Sequence, residues 1–102
     1  MHSLESFLVD DNPVWGTEVE KEIRRRIRLS VAAYSYEYED ESIMSDAEFD
    51  AMSLEVQPNM KTGNDRMDRF FKRNFDPSTG QWIRKHPEIA RIKRIYNDYY
   101  KR

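Results

Sequence analysis

A capping box, followed by apolar residues at helical spacing, predicts that residues 18–38 form a helix. Thr17 is followed three residues later by Glu20, so each side chain can accept a hydrogen bond from the other residue's backbone amide at a helix start. Apolar residues then recur at steps of three or four, which predicts a helix from about Glu18 to about Tyr38. The predicted apolar stripe of this helix consists of Val19, Ile23, Ile27, Val31, Tyr34 and Tyr38.

Four arginines, Arg24, Arg25, Arg26 and Arg28, occupy the other faces of this predicted helix. Such a cluster can bind phosphate. Glutamates lie one helical turn away, however, and opposite charges at that spacing pair with each other. We therefore predict that the arginines form a solvated, ion-paired helix face.

Later start and stop signals predict three more helices. A second capping box, Ser45 to Glu48, opens a helix that should stop before Pro58. A turn at residues 62–64 precedes a third helix, and Pro87 suits the first turn of a last one. Because the 102 residues include only three glycines and few valines, a sheet with many turns is disfavoured.

These signals together predict a small, all-α, single-domain helical bundle of about four helices. Residues 1–16 are expected to be an N-terminal extension, and residues 17–102 one helical domain. Within that domain, residues 18–56 should form a helical hairpin and residues 57–102 should complete the fold.

Composition excludes several kinds of site. The sequence has no cysteine, so disulfides and thiolate zinc ligands are excluded. His2 and His86 lack the helical spacing of metal ligands, and we expect no metal. The glycines are too far apart for a phosphate-binding loop. Because no apolar run is long enough to span a bilayer and the first residues do not resemble a signal peptide, we expect a cytoplasmic protein without a membrane partner.

The charges are unevenly distributed along the chain. Residues 1–60 carry five basic and 14 acidic side chains, whereas residues 61–102 carry 12 basic and five acidic ones. One interpretation is that the two halves attract each other within one domain. The other is a nucleic-acid-binding surface, in which cations contact phosphates and aromatic rings stack on bases.

The nucleic-acid interpretation has its own candidate residues. Its cations are Arg84, Lys85, Arg91 and Arg94, and they are interleaved with Phe70, Phe71, Trp82, Tyr99 and Tyr100. The helical spacing of the aromatic residues favours the alternative, in which the rings form the core and the cations are solvated or paired.

Four residues around the first interhelical loop form the main candidate binding site: Tyr36, Asp46, Phe49 and Asp50. The last three follow i, i+3, i+4 spacing and so share one face at the start of the second helix. In a helical hairpin, an aromatic plate would then lie beside two carboxylates, which suits a flat cationic ring carrying a ribose. The alternative, which spacing alone favours, is that the aromatics pack the hairpin and the acids cap the helix.

The stretch from Tyr36 to Asp50, with the hexapeptide SDAEFD at its end, resembles the N-terminal Ia domain of bacterial NAD-dependent DNA ligases. The resemblance covers roughly residues 18–56. It implies a helical hairpin that binds the nicotinamide mononucleotide half of NAD. In this chain it implies that Tyr36 stacks on the ring and that Asp46 and Asp50 contact the nicotinamide riboside.

Two positions depart from the pattern of that family. Phe49 keeps the ring of the family's tyrosine without its hydroxyl. Glu37 stands where the family has tyrosine or histidine, which makes it the fifth candidate residue at the cofactor site. A carboxylate at position 37 would repel the phosphate of the mononucleotide. The sequence also lacks the Lys-x-Asp-Gly nucleophile motif of the ligase adenylation domain.

The resemblance and the size together imply a non-catalytic accessory module, encoded by a phage or mobile element. It would bind NAD, nicotinamide mononucleotide or a DNA ligase-type partner. The alternative function is a nucleic-acid-binding or protein-interaction protein that uses the basic, aromatic second half. The oligomeric state is left open.

Overall fold

The computed structural model describes residues 16–101. This part of the chain contains four α-helices, α1 (Glu18–Tyr38), α2 (Asp46–Glu55), α3 (Asp65–Asn74) and α4 (Ile89–Tyr99), and a 3₁₀ helix (Gln81–Lys85) that precedes α4. No strand occurs among residues 16–101. The predicted all-α fold is therefore confirmed, whereas the predicted N-terminal extension lies outside the described residues apart from Gly16.

Side-chain caps start the first three helices where the sequence predicts them. Thr17 Oγ1 accepts a hydrogen bond from the Glu20 backbone N–H at 3.1 Å, and Glu20 Oε1 accepts one from the Thr17 N–H at 2.8 Å. Ser45 and Asn64 cap α2 and α3 by accepting a hydrogen bond from the N–H three residues later. Each cap satisfies an amide that the helix leaves unpaired, which is worth about 1 kcal/mol.

Helix α1 is the central element, because α2, the 3₁₀ helix and α4 all pack against it. Every residue from 29 to 35 is buried, so the middle of α1 has no solvent-facing side. The two serines in this range donate hydrogen bonds back to carbonyls of the same helix, Ser30 to Arg26 at 2.7 Å and Ser35 to Ala32 at 2.9 Å. Their buried hydroxyls are thereby satisfied without a partner from another helix.

The predicted apolar stripe of α1 is wrong at both ends. Val31 and Tyr34 are buried, but Val19 is 37% exposed and Tyr38 is 49% exposed. The reason is that the surrounding elements enclose only the middle of the helix. A stripe is typical of a helix that lies on a surface, whereas this helix passes through the core.

Aromatic residues from the second half of the chain complete the hydrophobic core. The Trp82 ring lies 5.5 Å from the Phe71 ring and 5.2 Å from the Phe75 ring, measured between centroids. Tyr34 of α1 lies 5.5 Å from Tyr96 of α4. The rings at positions 70, 71 and 82 are all buried. The interpretation of these three aromatics as core residues is therefore confirmed.

Arg25 and Arg26 of α1 pair with Glu22 as predicted, but the prediction of a solvated arginine face is wrong. Arg24 and Arg26 are buried, with only 5% and 4% of their surfaces exposed. Arg26 donates from Nε to Glu22 and from Nη1 to Asp68, both at 2.8 Å. Its Nη2 donates to two backbone carbonyls within residues 57–60, at 2.8 and 3.1 Å. Local spacing indicated only the pair within α1, since the other partners are 31 to 42 residues away in sequence.

This network attaches the loop between α2 and α3 to α1. Glu22 Oε2 also accepts a hydrogen bond from the Gln57 N–H at 3.1 Å. Asp68 accepts two from Thr62, at 2.7 and 2.8 Å. Burial opposes ionisation of Asp68, but the hydrogen bonds from Thr62 and Arg26 prevail and keep the pKa of Asp68 below its ordinary value. The buried charges are thus paired and hydrogen-bonded, which limits the cost of removing them from water.

Candidate functional site

The end of α1 turns the chain toward α2. The backbone N–H groups of Glu39 and Glu41 both donate to the Ser35 carbonyl, at 3.1 and 3.0 Å. Asp40, between them, has a φ of 54°, the left-handed conformation common after the last residue of a helix. Aspartate adopts this conformation more readily than most residues other than glycine.

This turn brings Tyr36 and Asp46 together. Tyr36 Oη donates a hydrogen bond to Asp46 Oδ1 at 2.7 Å. The tyrosine is 50% exposed, and Asp46 is exposed in the first turn of α2. The hydrogen bond to the Asp46 carboxylate raises the pKa of Tyr36 above its ordinary value. An open ring and an open carboxylate therefore lie side by side at one end of the central helix.

The other two residues of the predicted site, Asp50 and Phe49, lie in different surroundings. Asp50 is exposed one helical turn after Asp46. Phe49 is half-buried and packs against the hydrophobic core. An added Cβ at Gly80 would lie 3.5 Å from Phe49 Cζ and 3.4 Å from the Ala33 side chain. Phe49 therefore packs α2 against the core, with part of its ring left exposed.

Glu37 is ion-paired with Arg84 of the 3₁₀ helix. Arg84 Nε donates to Glu37 Oε1 at 2.9 Å. The guanidinium carbon also lies 5.9 Å from the centroid of the Tyr38 ring. The sequence placed these two charges in separate candidate surfaces, and the structure joins them at the end of α1. The carboxylate at position 37 is therefore compensated by a cation.

The candidate nucleic-acid-binding cations differ in their surroundings. Besides the Arg84 ion pair, Arg91 Nη1 lies 3.5 Å from Glu88 Oε1. Lys85 and Arg94 are exposed. Three of the five aromatic rings interleaved with these cations are buried, at positions 70, 71 and 82. A nucleic acid that contacted these cations would therefore lack those three rings as stacking partners.

A groove of about 260 Å³ lies between α1, α3 and α4. The sequence patterns do not indicate it. Its apolar wall consists of Ile23, Ile27, Met67, Phe71, Ile92 and Ile95. His86 also lines it, and burial, with a smaller contribution from Arg66, lowers the pKa of His86 to about 4. The groove could not be found from the sequence, because the half-buried Ile23 and Ile27 have the same helical spacing as the core residues Ile92 and Ile95.

Comparisons with protein-family models, curated proteins and solved structures find no match for this chain. Fold and site together define a small all-α domain with an exposed Tyr–Asp contact at the end of its central helix. Residues 16–101 contain no group of three or more side chains arranged to hold a metal ion. Within the same residues, no helix is both long enough and apolar enough to cross a membrane.

Proposed function

We propose that this chain is a non-catalytic binding module whose face between α1 and α2 takes the nicotinamide mononucleotide half of NAD. The 2.7 Å hydrogen bond from Tyr36 to Asp46 carries the proposal. It places an exposed ring beside an exposed carboxylate, and Asp50 follows one turn later on the same helix. The resemblance of residues 18–56 to ligase Ia domains supports the same assignment.

The groups on this face match the chemistry of nicotinamide riboside. Its cationic ring can stack on the exposed face of Tyr36 and gain a cation–π attraction. The carboxylates of Asp46 and Asp50 can accept hydrogen bonds from the ribose hydroxyls. Their negative charges also favour a cationic ring over a neutral one.

Arg84 offsets the repulsion expected from the carboxylate at position 37. The ion pair with Glu37 uses Arg84 Nε, and the Arg84 side chain is 61% exposed. The two terminal nitrogens of its guanidinium can therefore donate to a phosphate, which arginine binds with a planar pair of hydrogen bonds. The expected orientation of the nucleotide has its ring on Tyr36 and its phosphate toward Arg84.

Isothermal titration calorimetry with nicotinamide mononucleotide and NAD tests the proposal. Tyr36→Ala should weaken binding at least about tenfold, because it removes the stacking surface and one partner of Asp46. Asp50→Asn should weaken it by a smaller factor. Tyr99→Ala, which removes another exposed tyrosine, is the matched control and should bind as the wild type does. Absence of binding by the wild-type protein at millimolar ligand would rule the proposal out.

The orientation of the nucleotide has a separate test. Arg84→Gln should weaken nicotinamide mononucleotide about tenfold and leave nicotinamide riboside, which has no phosphate, unchanged. Lys85→Gln, an exposed neighbour, is the control. Equal losses for both ligands would show that Arg84 acts only by holding Glu37.

A ligase-type protein partner is the second form of this proposal, and Leu54 favours it. Leu54 is 77% exposed and follows Asp50 by four residues on α2, so both lie on one helix face. A partner that closes over the nucleotide site could cover this leucine. Sedimentation with a purified NAD-dependent DNA ligase, with and without NAD, measures the association. The Leu54→Ser variant should not associate with the ligase. If the wild-type protein does not associate with it either, this form of the proposal is ruled out.

A further inference from the structure

The groove between α1, α3 and α4 is separate from the Tyr36–Asp46 face, and neither of those two residues lines it. Its volume is about 260 Å³, slightly below the range of about 300–1,000 Å³ usual for drug-sized ligands. Isoleucines from two helices provide the apolar surface: Ile23 and Ile27 of α1, and Ile92 and Ile95 of α4. The size and lining indicate a small ligand with an apolar body.

Several polar groups of the groove already have partners. The Ser30 hydroxyl donates to a helix carbonyl, and the Thr62 hydroxyl donates to Asp68. Arg26 donates to two carboxylates and two carbonyls, all from within the fold. Each of these three side chains would have to give up a hydrogen bond within the fold to bind a ligand, and for Arg26 and Thr62 that bond belongs to the network that holds α1 to the loop after α2.

The remaining polar groups are mainly hydrogen-bond donors. His86 is only 7% exposed, and its Nδ1 accepts a hydrogen bond from the Glu88 N–H at 3.0 Å, so the neutral ring carries its proton on Nε2. That nitrogen has no hydrogen-bond partner within residues 16–101. Asn64 uses its oxygen to cap α3, which leaves its amide N–H groups.

Arg91 adds a positive charge to these donors. Its ion pair with Glu88 is long, with 3.5 Å between Nη1 and Oε1, and its side chain is 38% exposed. The groove therefore presents N–H donors and a weakly paired guanidinium, and among its lining residues the acid is Glu88. A ligand must supply acceptors, and an anionic acceptor gains most from the guanidinium.

We propose that this groove binds a small monocarboxylic acid with an apolar body. The body lies against the isoleucines, and the carboxylate accepts hydrogen bonds from Arg91 and from His86 Nε2. The ligand carboxylate competes with Glu88 for Arg91, so removing the Glu88 charge should strengthen binding. This site does not depend on the nicotinamide proposal.

Methyl NMR of the full chain, labelled at isoleucine, tests the proposal with octanoate as the probe and 1-octanol as its uncharged match. Octanoate should shift the methyl signals of the four groove isoleucines and leave Ile43 and Ile83, which do not line the groove, unchanged. Octanol should bind about tenfold more weakly, because it lacks the charge that pairs with arginine.

Variants separate a carboxylate site from general apolar binding. Arg91→Gln should weaken octanoate about tenfold without changing octanol, and Glu88→Gln should bind octanoate more tightly than the wild type. Arg94→Gln, an exposed arginine of the same helix, is the control. The proposal is overturned if octanoate leaves the groove methyls unshifted, or if the two probes bind equally. If Arg91→Gln fails to fold, the Glu88→Gln comparison still decides, since unchanged affinity there contradicts the competition for Arg91.

Discussion

Arg26 contributes more to this fold than its charged, surface-like sequence context suggests. Its guanidinium bonds to Glu22, Asp68 and two loop carbonyls, and it lies 4.9 Å from the centroid of the Phe71 ring. These partners lie in different directions from one planar group. A lysine ammonium carries its three donors on a single nitrogen and cannot reproduce that arrangement.

Replacing Arg26 should therefore destabilise the protein strongly. Arg26→Ala is expected to lower the free energy of unfolding by about 3–5 kcal/mol, because it leaves Asp68 without its cation and Glu22 with Arg25 alone. Arg26→Lys keeps the charge and should cost less, about 1–3 kcal/mol. Equilibrium urea denaturation measures both, with Arg94→Lys as the exposed control. A stability of Arg26→Lys equal to that of the wild type would contradict the network.

His86 should make the fold less stable in acid. Burial, followed by the charge of Arg66, lowers the pKa of His86 from 6.5 to about 4. Between these values the unfolded chain binds a proton that the folded chain does not. The free energy of unfolding therefore falls as the pH drops from 6.5 to 4, by on the order of 3 kcal/mol from this group.

The variant His86→Gln isolates this contribution from that of the carboxylates. Urea denaturation between pH 7 and pH 4 should show a shallower loss of stability for the variant than for the wild type. If the two proteins lose stability equally as the pH falls, His86 has the same pKa in the folded and unfolded chains, and the prediction is wrong.

The connection between α1 and α2 determines which side chains can share a site. The first helix ends because Asp40 takes a left-handed backbone conformation, after which the chain leads to the Ser45 cap of α2. Tyr36 thereby meets Asp46, although ten residues separate them in sequence. A helix that continued past Asp40 would carry Asp46 away along its own axis.

Substitutions at Asp40 test this connection. Asp40→Gly should be more stable than Asp40→Ala by about 1 kcal/mol, because glycine adopts a positive φ without the steric cost that a Cβ brings. Thermal unfolding followed by circular dichroism measures the difference. The same two substitutions at the neighbouring Glu41, for which no positive φ is found, should give the opposite order. A more stable alanine variant at position 40 would show that the turn has a different backbone.

The whole domain is organised around one enclosed helix and a few cross-chain ion pairs. The Glu37–Arg84 pair joins the acidic first half to the basic second half, as attraction between the halves would predict. The Arg26–Asp68 pair joins the same halves with the charges reversed. Charge asymmetry along the chain therefore does not describe how the halves are held together, and the buried packing around α1 is the common feature.

Because the 3₁₀ helix and α4 both pack on α1, residues 16–101 should unfold as one cooperative unit. In a Trp15→Phe variant, Trp82 becomes the sole tryptophan. This residue belongs to the 3₁₀ helix, is 4% exposed and packs in the core. Its fluorescence and the helical circular dichroism signal should then change at the same urea concentration. An earlier fluorescence transition would show that the 3₁₀ helix detaches from α1 before the other helices unfold.

Much of the secondary structure could be predicted from sequence, because its causes act over a few residues. The caps at Thr17 and Ser45 indicate where α1 and α2 begin, and the loop of acids after Tyr38 indicates where α1 ends. The encounter of Tyr36 with Asp46 follows once two such helices are joined by a short loop. The stacking, riboside and phosphate roles stay predictions for the binding experiments.

Local chemistry thus decides where each helix starts and stops, since a capping hydroxyl and its amide lie within four residues of each other. The burial of Arg26, the Glu37–Arg84 pair and the inward position of Phe49 could not be predicted in this way. The partners of Arg26 outside α1 and of Glu37 lie from 31 to 47 residues away in the chain, and Gly80, beside Phe49, lies 31 residues away. Sequence spacing does not indicate such contacts, because they form only when the helices pack around α1.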